Sequence, residues 1–326
     1  MSKFVPIDLS RLKTYPLSER KSKVSVADFA QTWEKGDSFK TFLDNLPDIL
    51  AGSHIKAVIS SIAKAFEEKK NVLVGMGAHV IKVGLSPVVI DLMKRGIVTA
   101  VATNGAGIVH DAEVAMTGRT SEDVEKSIGS GMFGMASETC SFLSDAIATA
   151  GDKSFGLGRS VGMAVIKKKL PFAEKSIFAA GVRLGIPVTV HVAIGTDIIH
   201  MHPEFDPKMA GKATHMDFRI FASVISALEG GVYLNIGSAV ILPEIFLKAV
   251  TLVRNLGYNL ENFTSVNMDF IRQYRPITNV VNRPTAKGGK GFNLVGHHEI
   301  MLPLLAAGVI ERVNSEGGFS GVGPSH

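Results

Sequence analysis

The sequence predicts an α/β fold, a doubly wound, mostly parallel sheet with helices on both faces. Three observations carry this. Short apolar runs recur at NVLVGMG (71–77), IVTAVA (97–102), PVTVHVAI (187–194), GVYLNI (231–236) and FTSVNM (263–268). They do not alternate with polar residues, which is how strands buried on both faces read. Helical patterns at 50–70, 217–228, 241–256 and 297–309 separate many of them, as a parallel sheet with crossover helices requires. Hydrophobic residues are 46% of 326 and charged residues 20%, so the chain can build a sizeable core.

The elements follow in order. Residues 1–45 are polar with scattered apolar positions and read as an N-terminal arm and helix. Residues 46–313 read as a single domain. The Gly/Ser-rich stretch NSEGGFSGVGPSH (314–326) reads as a flexible tail. Leu50–Lys70 has helical spacing and ends in the charged run EEKK. Ser86-Pro87 gives a helix start, with Ser as the cap and Pro at the first position. Lys94-Arg95-Gly96 is the matching stop. Thr120-Ser121-Glu122-Asp123 opens a further helix in capping-box style. GLGRSVG (156–162) has GxGxxxG spacing with no clear strand before it, so it reads as a helix-packing or turn motif. NRPTAKGGKGF (282–292) reads as a flexible glycine-rich loop.

Charge and composition remove several function classes. The formal charge of +5 is mild for this length. The basic clusters at 11–23 and 167–169 lack the interleaved aromatics of a single-strand binder, so no nucleic-acid partner is expected. No apolar run approaches the ~18 residues of a membrane span, and no membrane partner is expected. The one cysteine, Cys140, allows no intrachain disulfide and reads as a small buried hydrophobe. MSKFVPIDLSRLK lacks the apolar core of a signal peptide. The expected location is the cytoplasm.

In a doubly wound sheet, ligands bind beyond the carboxyl ends of the strands. Those ends carry Gly75, Gly77 and His79; Thr103, Asn104, Gly105, Gly107, His110 and Asp111; Gly195, Thr196, Asp197, His200 and His202; and Asn235, Gly237 and Ser238. Four small or polar strand ends together point to a nucleotide cofactor, because small residues admit close backbone approach and helix N-termini offer free N–H groups. TNGAG (103–107) is not the G-x-G-x-x-G fingerprint. The histidines leave a second chemistry open: His110, Asp111, His200 and His202 could hold a divalent metal such as zinc for hydrolysis. No H-E-x-x-H is present. Lys287 and Lys290, in the most basic part of the C-terminal half, are candidates for a catalytic amine or a phosphate contact.

Four segments carry a family resemblance. KVGLSPVVIDLMKRGIVTAVATNGAGIVHDAE (82–113), IPVTVHVAIGTDI (186–198), GGVYLNIGSAVILPEIFLKAVTLVRNLG (230–257) and GHHEIMLPLLAA (296–307) resemble deoxyhypusine synthase, in the same order over about residues 50–310. The resemblance implies a Rossmann-like fold, NAD in the strand-end cleft and a homo-oligomer, tetramer or dimer. By position it places Thr103, Asn104, Gly105 and Ala106 on the dinucleotide, Asp197, Gly237 and Ser238 near it, and His297 where the family has an acid in its last cofactor loop. The chain departs from the family at three points. His110 stands where the family has the acid for the polyamine amine, with Asp111 still matching an acid. Leu242-Pro243 replaces the family's His-His. No Trp-Gly-Lys occurs, and Lys287 or Lys290 match its lysine only loosely.

The expected function is therefore that of a deoxyhypusine synthase-like NAD-binding enzyme acting on another small substrate rather than forming hypusine, with His110 or His200 as general base. The expected cofactor contacts are Gly77, His79, Thr103, Asn104, Gly105, Ala106, Gly107, Thr196, Asp197, Gly237, Ser238 and His297. The alternatives are a metal-dependent hydrolase and a non-catalytic dinucleotide-binding protein.

Overall fold

The computed structural model describes residues 4–153 and 155–313; the tail at 314–326 lies outside the described residues. Six parallel strands form one sheet: β1 (Val72–Met76), β2 (Ala100–Asn104), β3 (Val188–His191), β4 (Val232–Ile236), β5 (Thr264–Asp269) and β6 (Lys290–Val295). Their order is β3-β2-β1-β4-β5-β6. This is the 3-2-1-4-5-6 order of a doubly wound sheet built from two three-stranded halves, with the chain reversing direction across the sheet between β1 and β4.

The principal helices are α1 (Leu50–Glu67), α2 (His79–Lys82), α3 (Ser86–Lys94), α4 (Gly105–Thr117), α5 (Ser137–Lys153), α6 (Leu157–Lys167), α7 (Ile177–Leu184), α8 (Pro207–Ser226), α9 (Ile241–Asn255) and α10 (His298–Arg312). Strand side chains alternate between two cores. Val72, Val74, Met76, Leu234 and Ile236 pack with apolar residues of α1, α3, α4, α6, α7 and α10. Leu73, Ala100, Ala102 and Tyr233 pack with α8 and α9. Strands apolar on both faces thus have a helical layer on each, as the sequence predicts.

Edge strand β3 is closed by α8 rather than by another strand. Thr214 donates to the Val190 carbonyl (2.8 Å) and accepts from the Val192 N–H (3.0 Å). Asp217 accepts from the Val190 N–H (2.8 Å) and from Gly158 at the start of α6 (3.0 Å). The edge groups that would otherwise invite another strand are engaged.

Some local expectations need correction. The first residue of α3 is Ser86, which is buried, and its N-cap is Leu85 with no side-chain cap. The helix near 124 is capped by Asp123, which accepts from the Lys126 N–H; Thr120 faces elsewhere. The predicted loop at 282–292 instead enters β6, because Lys290 pairs with Thr264 and the strand completes the sheet. GLGRSVG is a packing motif, as expected. A Cβ on Gly158 would lie 1.8 Å from the Val188 carbonyl oxygen, and one on Gly162 would lie 2.3 Å from that of Phe178.

Gly158→Ala is expected to destabilise the protein by about 1–3 kcal/mol, the usual range for overpacking a core. Chemical denaturation checks this, and an unchanged midpoint would contradict the contact.

Candidate functional site

The carboxyl ends of the strands form two adjoining regions. The first is the crevice between β1 and β4. Gly77 donates to the Ile236 carbonyl (2.9 Å) and Gly237 to that of Met268 (3.0 Å), so the ladder runs to the last residue of each strand. A Cβ on Gly77 would lie 2.3 Å from the Gly237 carbonyl oxygen, and Gly237 has φ +65°. Both positions need glycine.

Against Gly237 lies His298, the first residue of α10, with its ring buried. Its Nε2 faces two acceptors, the Met268 carbonyl at 3.4 Å and Asp269 at 3.8 Å. The ring proton therefore sits on Nε2, and Nδ1 carries a lone pair. Nδ1 is buried with no partner among the described residues. Burial, the largest effect, holds the imidazole below its usual range, so it stays neutral. His79 and Phe270 complete the group, with ring centroids 5.5 and 6.1 Å from that of His298. His297 lies parallel to Phe270 at 6.1 Å and is exposed. Sequence reasoning chose His297 and missed His298.

The second region is a cavity of about 210 Å³ over β2 and β3, lined by Lys82, Val109, His110, Glu113, Glu122 and Asp197 among others. His110 Nδ1 lies 2.7 Å from the Thr120 hydroxyl, which lies 2.5 Å from Glu113. Thr139 donates to the other Glu113 oxygen (3.3 Å). The chain can return to place Thr120 there because Gly118 ends α4 at φ +70°. Burial, and then Lys82, lower His110 to about 4, so its ring is neutral at physiological pH.

Several expected site residues are engaged by the protein itself. Asn104 caps α4 by accepting from Gly107 (3.2 Å). Thr103 is buried, with its hydroxyl unpartnered, and a Cβ on Gly107 would lie 2.4 Å from it. Asp197 occupies the start of α4: it accepts from the Ala106 N–H, and a Cβ on Gly105 would lie 2.1 Å from its carboxylate. A carboxylate therefore stands at the positive helix end where a phosphate would be sought. Burial raises the Asp197 carboxyl above its usual range. Thr196 donates to the Ala193 carbonyl. Ser238 accepts from the Leu242 N–H at the start of α9.

The proposed metal ligands do not come together. Among the described residues, no group of three His, Cys, Asp or Glu side chains could hold a metal. Asp111 is buried on another face of α4 and does not line the cavity, accepting from Ser176 (2.5 Å) and the Ile177 N–H (2.8 Å) at the start of α7. His200 clips its own loop, accepting from the Gly195 and Asp197 N–H groups at 3.1 Å, so it is no free base. His202 Nδ1 is buried and unpartnered. Lys290 opens β6 at the amino end of the sheet, across from the crevice, and Lys287 is exposed and paired with Glu261 at 3.6 Å. Neither lysine reaches the strand ends. A larger cavity of about 370 Å³ also lies away from them, beside the amino end of β3.

The architecture defines a class: a doubly wound, all-parallel α/β sheet with helices on both faces. No family model matches the sequence, and no curated protein sequence is similar to it. Solved structures share the fold. A conserved candidate LOR/SDH protein from Methanococcus maripaludis S2 aligns over 90% of this chain and 75% of its own, with TM-score 0.53 and 16% identity. A candidate deoxyhypusine synthase from Entamoeba histolytica aligns over 88% of this chain and 99% of its own, with TM-score 0.52 and 13% identity. AgrE, solved in a ternary complex with ornithine and NAD+, aligns over 79% of this chain with TM-score 0.51 and 16% identity. This chain spans 32% of AgrE's length. At these identities the likeness is one of fold. No described helix is long and apolar enough to cross a membrane.

Burial pushes the Asp111 carboxyl up to about 7 from 3.8, although its donors pull the other way. Between those pH values the folded protein holds a proton that the unfolded chain has released, so stability falls as pH rises through the window. Asp111→Asn is expected to flatten the fall in Tm between pH 5 and 8. Equal slopes in variant and parent would contradict this.

Proposed function

We propose that the protein is an NAD-binding enzyme that holds the dinucleotide across the β1–β4 crevice and a small substrate in the adjoining cavity. The observation that carries this is the unpartnered His298 Nδ1, buried at the point where the order β3-β2-β1-β4-β5-β6 reverses. A buried acceptor without a donor is costly, and a ligand hydroxyl or amide supplies one. Gly77, His79, Gly237, Ser238 and His297 border the same crevice and are the residues offered to the cofactor, with His298 added. When bound, NAD supplies a hydride acceptor.

The chain's own contribution to chemistry centres on His110. The ring is neutral, it lines the cavity, and Thr120 and Glu113 fix its orientation, so it can take a proton from a substrate and return it. The position at α4 occupied by Asp197 makes Thr103–Ala106 a weaker phosphate cradle than their spacing suggests. The AgrE complex with NAD+ supports the cofactor at the level of fold. A cytoplasmic location accords with the single buried Cys140. Self-association accords with the exposed Val5, Ile7, Leu9 and Leu12 of the N-terminal arm.

Calorimetric titration with NAD+ tests the reading. Binding to the parent protein is expected, weakened about tenfold in His298→Phe, the size of one lost hydrogen bond. Circular dichroism checks that the variant is folded. Absence of NAD+ binding to the parent protein overturns the reading.

A further inference from the structure

The cavity of about 370 Å³ beside the amino end of β3 has no part in the site described above. It lies between the start of α6, the end of α7 and the middle of α8. Its walls are largely apolar, with Phe178, Val182, Ile186, Pro187, Val188 and Ile220. Gly158 and Gly181 also line it, and packing holds both to glycine: a Cβ would lie 1.8 Å from the Val188 carbonyl oxygen and 2.4 Å from the Val188 side chain, respectively.

The lining carries two charged side chains, one of each sign. Asp217 is buried and accepts from the N–H groups of Gly158 (3.0 Å), Val190 (2.8 Å) and Leu157. A carboxylate has about four acceptor sites, so these three donors leave one open. All three donors are neutral, and burial raises the carboxyl to about 7; no cation of the protein compensates its charge. Arg159 is exposed at the rim. Its guanidinium lies over the Phe155 ring, 4.8 Å from the centroid, and makes no ion pair or hydrogen bond among the described residues. Thr189, the one other polar side chain of the lining, bonds the Val101 carbonyl and His191. The cavity thus joins an open acceptor on a buried anion, an unpaired guanidinium and an apolar wall.

We propose that this cavity binds an apolar α-amino acid, its ammonium on Asp217, its carboxylate on Arg159 and its aliphatic side chain against Val182, Ile186 and Ile220. The ligand matches the lining charge for charge. An aliphatic carboxylate brings no cation to Asp217, and an alkylamine brings nothing to the fork of N–H donors on Arg159, which suits a carboxylate. A polar amino acid leaves the apolar wall uncovered. The volume falls within the ~300–1,000 Å³ of small-molecule sites. The assignment does not depend on where the dinucleotide binds, because the crevice lies at the other end of the strands.

The test is calorimetric titration of the full chain with L-leucine, 4-methylpentanoate, 3-methylbutylamine and L-serine. These remove in turn the ammonium, the carboxylate and the apolar side chain. Leucine is expected to bind about tenfold or more tighter than each of the other three, the size of one lost charged contact. Arg159→Met, at an exposed position, should cut the leucine affinity about tenfold and leave that of 3-methylbutylamine unchanged. Val182→Phe, which narrows the cavity from a half-buried position, should abolish leucine binding, with circular dichroism checking that each variant is folded. Equal or tighter binding of any of the other three, binding of none of the four, or a leucine affinity unchanged by Arg159→Met or by Val182→Phe overturns the proposal.

Discussion

The pairing of β1 with β4 is the contact on which the rest of the structure depends. It joins two three-stranded halves through parallel hydrogen bonds from Val72↔Val232 to Met76↔Ile236. The chain leaves β1 toward β2 and β3, and leaves β4 toward β5 and β6, so the loops above the join part in opposite directions. A crevice is the geometric consequence. Backbones at its floor approach so closely that Gly77 and Gly237 have no room for a side chain. His298 packs against that floor, its ring filling the space beside Gly237.

Beyond the join, function is shaped by which donors and acceptors the fold has already used. The amino end of α4 resembles an anion site until Asp197 is seen occupying it. Asp111 resembles a catalytic carboxylate until it is seen capping α7. Among the described residues, the buried strand-end atoms left without a partner are His298 Nδ1 and Asn235 Oδ1 at the crevice, and Thr103 Oγ1, His200 Nε2 and His202 Nδ1 beside β2 and β3. His79 and Lys82 sit three residues apart on α2, so one helical turn borders both regions. A cofactor in one and a substrate in the other would share that turn.

Much of this architecture was legible in the sequence. Five strands announce themselves by apolar runs without alternation, because both faces of the sheet are covered. β6 does not, since KGFNLV lies at the sheet edge, is half exposed and follows the turn-rich AKGG. The site was harder to read. His110 and Asp111 are neighbours in sequence, yet a helix turns about 100° per residue, so one faces the cavity and the other the core. His297 and His298 divide in the same way, one exposed and one buried at the start of α10. Thr120 reads as a helix cap, and only the reversal at Gly118 brings it to His110. Lys82 carries no motif at all; its place depends on α2 following β1 directly.

The central claim is that the β1–β4 crevice holds the dinucleotide. A crystal structure of the protein with NAD+ tests it most directly. The account predicts density across the Gly77–Gly237 floor, with a ligand hydroxyl or amide donating to His298 Nδ1. NAD+ bound elsewhere, for instance in the cavity beside the amino end of β3, with His298 Nδ1 still unpartnered, would contradict it.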